Sequence, residues 1–291
     1  MSEDSGNSKE TRPVKITADS TVDLSGKLLG RFNISIIPLT IVLGEEVFPD
    51  GESFTPEHMY ERYHADGLLP KTAAPGTEAF EDFFRSFTDA GYDVVHLDIS
   101  SELSSTCSTA AAVARECEGV YVIDTRQLST GIGLLAIEAA ECAQRGMSAG
   151  AIAAHIEEIK EKVSTSFVLD TLEFMWKGGR CSAVTAFGAN LLRIKPGIEM
   201  RGGRLEIFKK YRGSSERVWR KYIAERLEGK AIRPGHIFFT ESGEIEPAVI
   251  EDMIAIVREL SGCREVHHTR AGCTISSHCG PRCMGVLFIE E

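Results

Sequence analysis

The sequence predicts an α/β protein in two parts, a doubly wound parallel sheet followed by an α+β half. Three observations lead there. Short apolar runs alternate with helical patterns through the first half, at Val14–Ala18, Tyr92–Ile99 and Val120–Thr125, as a parallel sheet with crossover helices requires. After about residue 163 the order changes to hairpin signals and paired strands. The 291 residues are 43% hydrophobic and 26% charged, ample for a core and enough for one large or two ordinary domains.

The elements follow in order. Residues 1–12 are polar and lack the apolar stretch of a secretory signal, so they read as a disordered leader. Val14-Lys15-Ile16-Thr17-Ala18 is a strand closed by Asp19-Ser20-Thr21. That triplet is either one wall of a site or the cap of a short helix. Asn33–Leu43 makes one or two strands, and Glu45–Gly51 a turn with an edge strand. Thr55-Pro56 opens a helix, with the proline at its first position. Lys71–Thr77 reads as irregular, and Thr77 caps a helix to Ala90. Tyr92–Ile99 is a buried strand, followed by a hydroxyl-rich turn and an alanine-rich helix from Thr109. Val120–Thr125 is a strand, Leu128–Arg145 a helix, and Met147–Val163 another.

The second half is placed at 164–291. Phe167–Asp170 is a strand, Leu172–Trp176 a short helix, and Lys177-Gly178-Gly179-Arg180 a break where backbone can approach an anion. Strands around Arg201-Gly202-Gly203 form a hairpin. A helix follows from Ser214, then a strand at Ile237–Thr240, a helix at Pro247–Leu260, and strands at Glu265–Thr269 and Gly285–Ile289.

The stretch Ser100-Ser101-Glu102-Leu103-Ser104-Ser105-Thr106 organises the functional reading. It puts five hydroxyls on a strand-to-helix turn. Ligands of open α/β sheets bind beyond the carboxyl ends of strands, and a helix start there favours an anionic head group. One cap needs one or two hydroxyls, so five point to a ligand.

Composition excludes other classes. The formal net charge of −11 argues against non-specific nucleic-acid binding. No apolar run approaches the ~20 residues that cross a bilayer, so no integral membrane segment is expected. None of the eight cysteines stands in a C-x-x-C pair, which predicts a reducing, cytoplasmic location. Cys273, His278, Cys279 and Cys283 fall within eleven residues but meet the spacing of a structural zinc site only loosely, so no metal is expected.

Taken together, these pieces resemble the DegV family of bacterial fatty-acid-binding proteins, including the carrier subunits of fatty acid kinase. The resemblance runs from Ala18-Asp19-Ser20-Thr21 through Ile37-Pro38-Leu39, Lys71-Thr72 and the hydroxyl turn. It continues through Ile123-Asp124-Thr125, Lys177-Gly178-Gly179-Arg180, Lys195-Pro196 and Tyr211-Arg212-Gly213 to His278-Cys279-Gly280-Pro281. It implies a two-domain DegV-like fold holding one long-chain fatty acid between its domains. Thr72, Ser104 and His278 would bind the carboxylate, and Arg180 and Arg212 would face the head group, a phosphate and a partner. No cofactor is implied beyond the bound fatty acid. Catalysis, and with it entry into phospholipid metabolism, would belong to a separate ATP-dependent fatty acid kinase, so the chain is expected not to be an enzyme. The chain has Thr72-Ala73-Ala74-Pro75 where the family has Thr-Ser-Gln-Pro, and Ser104-Ser105-Thr106 for Ser-Gly-Thr.

Phe187, Leu191 and Leu192 are candidates for the acyl tunnel. The competing reading is a serine hydrolase or acyltransferase with Ser104 as nucleophile, His278 as base and Asp98 or Asp124 orienting it. It lacks a G-x-S-x-G elbow. A nucleotide-binding reading lacks G-x-G-x-x-G after the first strand.

Overall fold

The computed structural model describes residues 12–51, 54–180 and 194–291. The leader expected at residues 1–12, except Arg12, lies outside them.

The first half builds a parallel sheet in the order β2-β1-β6-β7, from β1 (Val14–Asp19), β2 (Ile34–Ile37), β6 (Asp93–Asp98) and β7 (Val120–Asp124). Ile16, Val94, Val95, Leu97 and Ile123 are buried along these strands, matching the near-continuous apolar runs of a sheet covered on both faces. One face carries α3 (Thr77–Thr88) and α4 (Thr106–Ala114), where Phe80 and Phe84 pack on Ile37, Val94 and Ala110. The other carries α1 (Gly26–Phe32), α5 (Thr130–Gln144) and α6 (Ala149–Ile159). The sheet is doubly wound, as the alternation of runs predicts.

A small antiparallel sheet, β4-β3-β5, stands beside it, formed by β3 (Thr40–Leu43), β4 (Glu46–Pro49) and β5 (Lys71–Ala73). Helix α2 (Pro56–Asp66) is capped by Thr55 with Pro56 in its first turn. Three local expectations change here. Lys71-Thr72-Ala73 is a strand rather than irregular, because its backbone pairs with β3 and sets Thr72 opposite Ile41. The cap of α3 is Gly76, and Thr77 lies inside the helix. Helix α1, unannounced in the sequence, starts at a Ser25 cap and ends at Asn33 in a left-handed conformation.

The second half is a six-stranded mixed sheet, β10-β9-β8-β13-β11-β12. Its strands are β8 (Val163–Val168), β9 (Lys195–Arg201), β10 (Arg204–Tyr211), β11 (Ile232–Glu241), β12 (Glu265–Arg270) and β13 (Met284–Glu290). Strand β8 begins at Val163, because the expected helix ends at Ile159 and passes through a 3-10 turn, Lys160–Lys162. Only β11 and β12 run parallel; the remaining pairs are antiparallel. Helices α8 (Ser215–Leu227) and α9 (Pro247–Ser261) cover one face through Trp219, Tyr222 and Met253. The short helices α7 (Glu173–Gly178) and α10 (Cys273–Cys279) pack on each other at the sheet's end.

Helix α5 joins the two layers. It contacts β1 and β6 of the first sheet and β8, β11 and β13 of the second. Ile132, Leu135, Ala136, Ile137 and Ala139 are almost fully buried, as in a helix that is apolar around its whole circumference. Its buried glycines mark how close the approach is: a Cβ on Gly131 would lie 2.4 Å from Thr165 Oγ1.

Candidate functional site

A cavity of about 580 Å³ lies between the two sheets, within the range of small-molecule sites. Its apolar wall includes Leu39, Ile99, Leu103, Phe167, Met175 and Leu287, drawn from both halves of the chain. Thr72, Ser104, Arg180 and His278 line the same cavity. Four of the five site residues expected from the sequence therefore meet, although they span more than 200 positions. The fifth, Arg212, is exposed just beyond β10 and is not part of the lining.

Local chemistry positions each of these groups. Ser104 follows the bend after β6; its hydroxyl lies 2.7 Å from Thr106 Oγ1 and accepts from the Thr106 amide at 3.2 Å. The other hydroxyls of the turn divide their roles. Ser101 donates to Asp124 at 2.5 Å, and Ser100 donates to the Gly203 carbonyl at 2.7 Å. This last bond fastens the β9–β10 hairpin onto the turn. Gly203 has a φ of +81°, and a Cβ there would lie 2.7 Å from both Ser100 Oγ and Arg126 Nε. Only glycine fits that conformation and that contact.

His278 sits on α10, an element with no clear sequence signal. Its N-terminal amides are capped by carboxylates distant in the chain. Asp23 accepts from the Gly272 amide at 2.8 Å, and Asp50 accepts from the Cys273 amide at 3.0 Å. Both carboxyl groups are pushed upward, foremost by burial. Asp19, placed by the sequence either on a site wall or in a cap, is a cap: it accepts from the Thr21 amide and hydroxyl and from the Ile99 amide. Burial, and then the charge of Asp98, raise its pKa to about 7.

The His278 Nε2 lies 3.3 Å from Thr72 Oγ1. Its Nδ1 is buried without a hydrogen-bond partner among the described residues, pressed against Gly178, where a Cβ would come within 2.3 Å. Burial, with a smaller push from Arg180, lowers its pKa to about 4. The imidazole is therefore neutral at pH 7. Arg180 donates to the Gly178 carbonyl at 2.8 Å, and among the described residues it pairs with no carboxylate. The carboxylate on the wall, Glu241, is already held by Arg270 at 3.0 Å and by the Gly243 amide. Burial alone would raise Glu241, but His268, Arg270 and Gly243 carry it below the usual carboxylate range.

The hydrolase alternative is not supported by this arrangement. His278 Nε2 meets Thr72 rather than Ser104, and among the described residues no carboxylate orients its Nδ1. Asp98 instead pairs with His96 at 3.0 Å, and Asp124 with Ser101. Of the clustered cysteines, Cys273 Sγ points to the Phe54 carbonyl and Cys279 Sγ to that of Gly280, while Cys279 and Cys283 lie side by side on the cavity lining. All seven described cysteines are free thiols. Phe187, Leu191 and Leu192 lie outside the described residues. No helix among those described is long and apolar enough to cross a membrane.

Comparison with known proteins agrees with the resemblance. A DegV domain-containing protein of Streptomyces coelicolor is 29% identical over 283 residues, covering 95% of this chain and 98% of the relative. A fatty-acid-binding DegV family protein from Thermus thermophilus superposes with a TM-score of 0.83 at 30% identity, covering 96% of this chain and all of the other. A DegV lipid-binding protein from Thermotoga maritima gives 0.83 at 26% identity, with 95% and 98% covered. The family model for DegV, described as an uncharacterised protein family, matches residues 13–291, and the chain belongs to the DegV family.

Proposed function

We propose that this chain binds one long-chain fatty acid in the cavity between its sheets and presents the carboxylate to a partner kinase. The observation that carries the reading is the cavity's composition: an apolar wall with Thr72, Ser104, His278 and Arg180 on one lining. The relatives described as fatty-acid- or lipid-binding support it. A carboxylate leaving water needs hydrogen bonds or countercharge; the hydroxyls and imidazole supply the first and Arg180 the second. Glu241 is already paired with Arg270, which offsets the charge it would otherwise set against a bound anion. Each buried methylene contributes about 0.8 kcal/mol, so roughly ten of them reach micromolar affinity. In this reading the two units are 13–163 and 164–291, with the ligand between them.

In the kinase step a carboxylate oxygen attacks the γ-phosphorus of ATP, ADP leaves, and a mixed acyl-phosphate anhydride forms. The chain supplies no catalytic residue and no cofactor. Arg180 at the lining and exposed Arg212 beyond β10 suit a phosphate and a partner surface, since guanidinium matches phosphate oxygens in pairs. Free thiols fit a cytoplasmic setting. Organic extraction of protein purified from bacteria tests the first part, with one equivalent of a long-chain acid expected by mass spectrometry. Protein that yields no acyl chain and gains no thermal stability from added fatty acid would refute it. The second part predicts that Arg180→Ala and Arg212→Ala keep the lipid but lose acyl-phosphate formation with a fatty acid kinase and ATP. Turnover at the unaltered rate would leave a lipid carrier only.

A further inference from the structure

The opposite end of β11 carries a second constellation that lipid binding does not use. His236 on β11 is the register partner of Glu265 on β12. His267 stands two residues beyond Glu265, on the same face of the strand. The three side chains thus gather on one face of a parallel strand pair, with a candidate ligand atom of each lying within 4.8 Å of the others. His236 Nδ1 is 2.9 Å from His267 Nε2, and that nitrogen is 3.8 Å from Glu265 Oε2. Ligand atoms around a tetrahedral zinc with bonds of 2.0–2.1 Å are about 3.4 Å apart. The two observed separations bracket that value.

We propose that His236, His267 and Glu265 form a binding site for a zinc-class divalent cation. Two imidazoles and a carboxylate are a borderline donor set of that preference. One imidazole now donates to the other across this contact; on binding, the donor ring changes tautomer, its proton moving to the ring's other nitrogen, so that both facing lone pairs turn to the metal. The surroundings fit this assignment. His236 Nε2 lies 3.4 Å from Glu141 on α5, the second-shell carboxylate that orients a ligating histidine. Phe32 packs edge-on to His236 and Phe238 tilts against His267, which excludes water from two sides. Glu265 also accepts a bidentate pair from Arg31, and its two oxygens have lone pairs enough for both partners.

The fourth coordination position has space. His236, Glu265 and Glu141 line a separate cavity of about 270 Å³, shared with Arg233 and Arg264. It has no lining residue in common with the lipid cavity. A metal there would clip β12, an edge strand, to β11 while leaving one position open.

Calorimetric titration of the metal-free full chain with Zn²⁺ tests the site. One Zn²⁺ per chain is expected to bind, and the unfolding midpoint to rise by about 5 °C at a hundredfold excess over the dissociation constant. His236→Ala and His267→Ala should abolish that equivalent. Glu265→Gln should weaken it at least tenfold with the metal-free midpoint preserved, and it decides the matter if an alanine variant fails to fold. Co²⁺ in place of Zn²⁺ should give ligand-field bands without thiolate charge transfer. No binding by the unaltered chain, binding unchanged in the variants, or a thiolate band placing the metal on cysteine would each overturn the proposal.

Discussion

Gly178→Ala is the most informative perturbation of the proposed lipid site, because it moves His278 without removing it. The added Cβ would lie 2.3 Å from His278 Nδ1, with Cε1 at 3.2 Å and Cγ at 3.3 Å. Ordinary contact needs roughly 3.4 Å or more, so the ring must retreat by about 1 Å. Its Nε2 is already 3.3 Å from Thr72 Oγ1, near the limit of a hydrogen bond. That retreat breaks the pair and withdraws the imidazole from the carboxylate. Losing one hydrogen bond to a charged group costs about 1.5–3 kcal/mol, or roughly ten- to hundredfold in affinity. Gly178 closes α7 with an ordinary helical backbone, so folding stability should change by no more than about 1 kcal/mol. Fatty-acid affinity is measured by calorimetry, and stability by denaturant unfolding. His278→Ala and the double variant complete a cycle in which Gly178→Ala adds no further loss once the ring is gone. Unchanged affinity in Gly178→Ala, or fully additive losses, would refute the reasoning.

Three further outcomes are expected. Thr72→Val and Ser104→Ala should each weaken fatty-acid binding by about 1.5–3 kcal/mol while far-UV circular dichroism stays native; unaltered calorimetric affinity in both would move the carboxylate elsewhere. His278 has a folded pKa near 4 against an ordinary 6.5, so below pH 6.5 the unfolded chain takes up a proton that the folded chain refuses. Stability relative to His278→Gln should therefore fall as pH drops from 6.5 to 4, by roughly 3 kcal/mol at most, and parallel urea midpoints across that window would contradict the burial of the ring. Ile275→Trp, on the cavity lining, should displace about two methylenes worth ~1.6 kcal/mol and shift the bound pool toward shorter acids, read by mass spectrometry of the extract.

Much of this fold was legible because local pattern and tertiary environment agree. The apolar runs of β1 and β6 are buried on both faces, that of the edge strand β7 only in part, and the helices between them show their periodicity. The hydroxyl turn was visible for the same reason, since five hydroxyls lie together in sequence. What escaped depends on distant partners. Lys71–Ala73 is a strand only because β3 pairs with it, and α10 exists because Asp23 and Asp50, more than 220 residues away, cap its amides. His278 and Arg180 could be joined to Thr72 only through family resemblance, because no local spacing links three such remote segments. Asp19 was left between two readings, and burial decided it: a fully enclosed carboxyl accepting two amides and a hydroxyl is structural. Arg212 is exposed and off the cavity lining, and its partner-facing role is a proposal drawn from the resemblance.

A crystal structure of the protein saturated with a long-chain fatty acid tests the central claim most directly. The account predicts continuous acyl density between the two sheets, in contact with Leu103, Phe167 and Leu287. It places the carboxylate within hydrogen-bond distance of Thr72, Ser104 and His278, on the side of Arg180. An acyl chain bound outside this cavity, or one lying within it with its carboxylate away from those residues, would contradict the account.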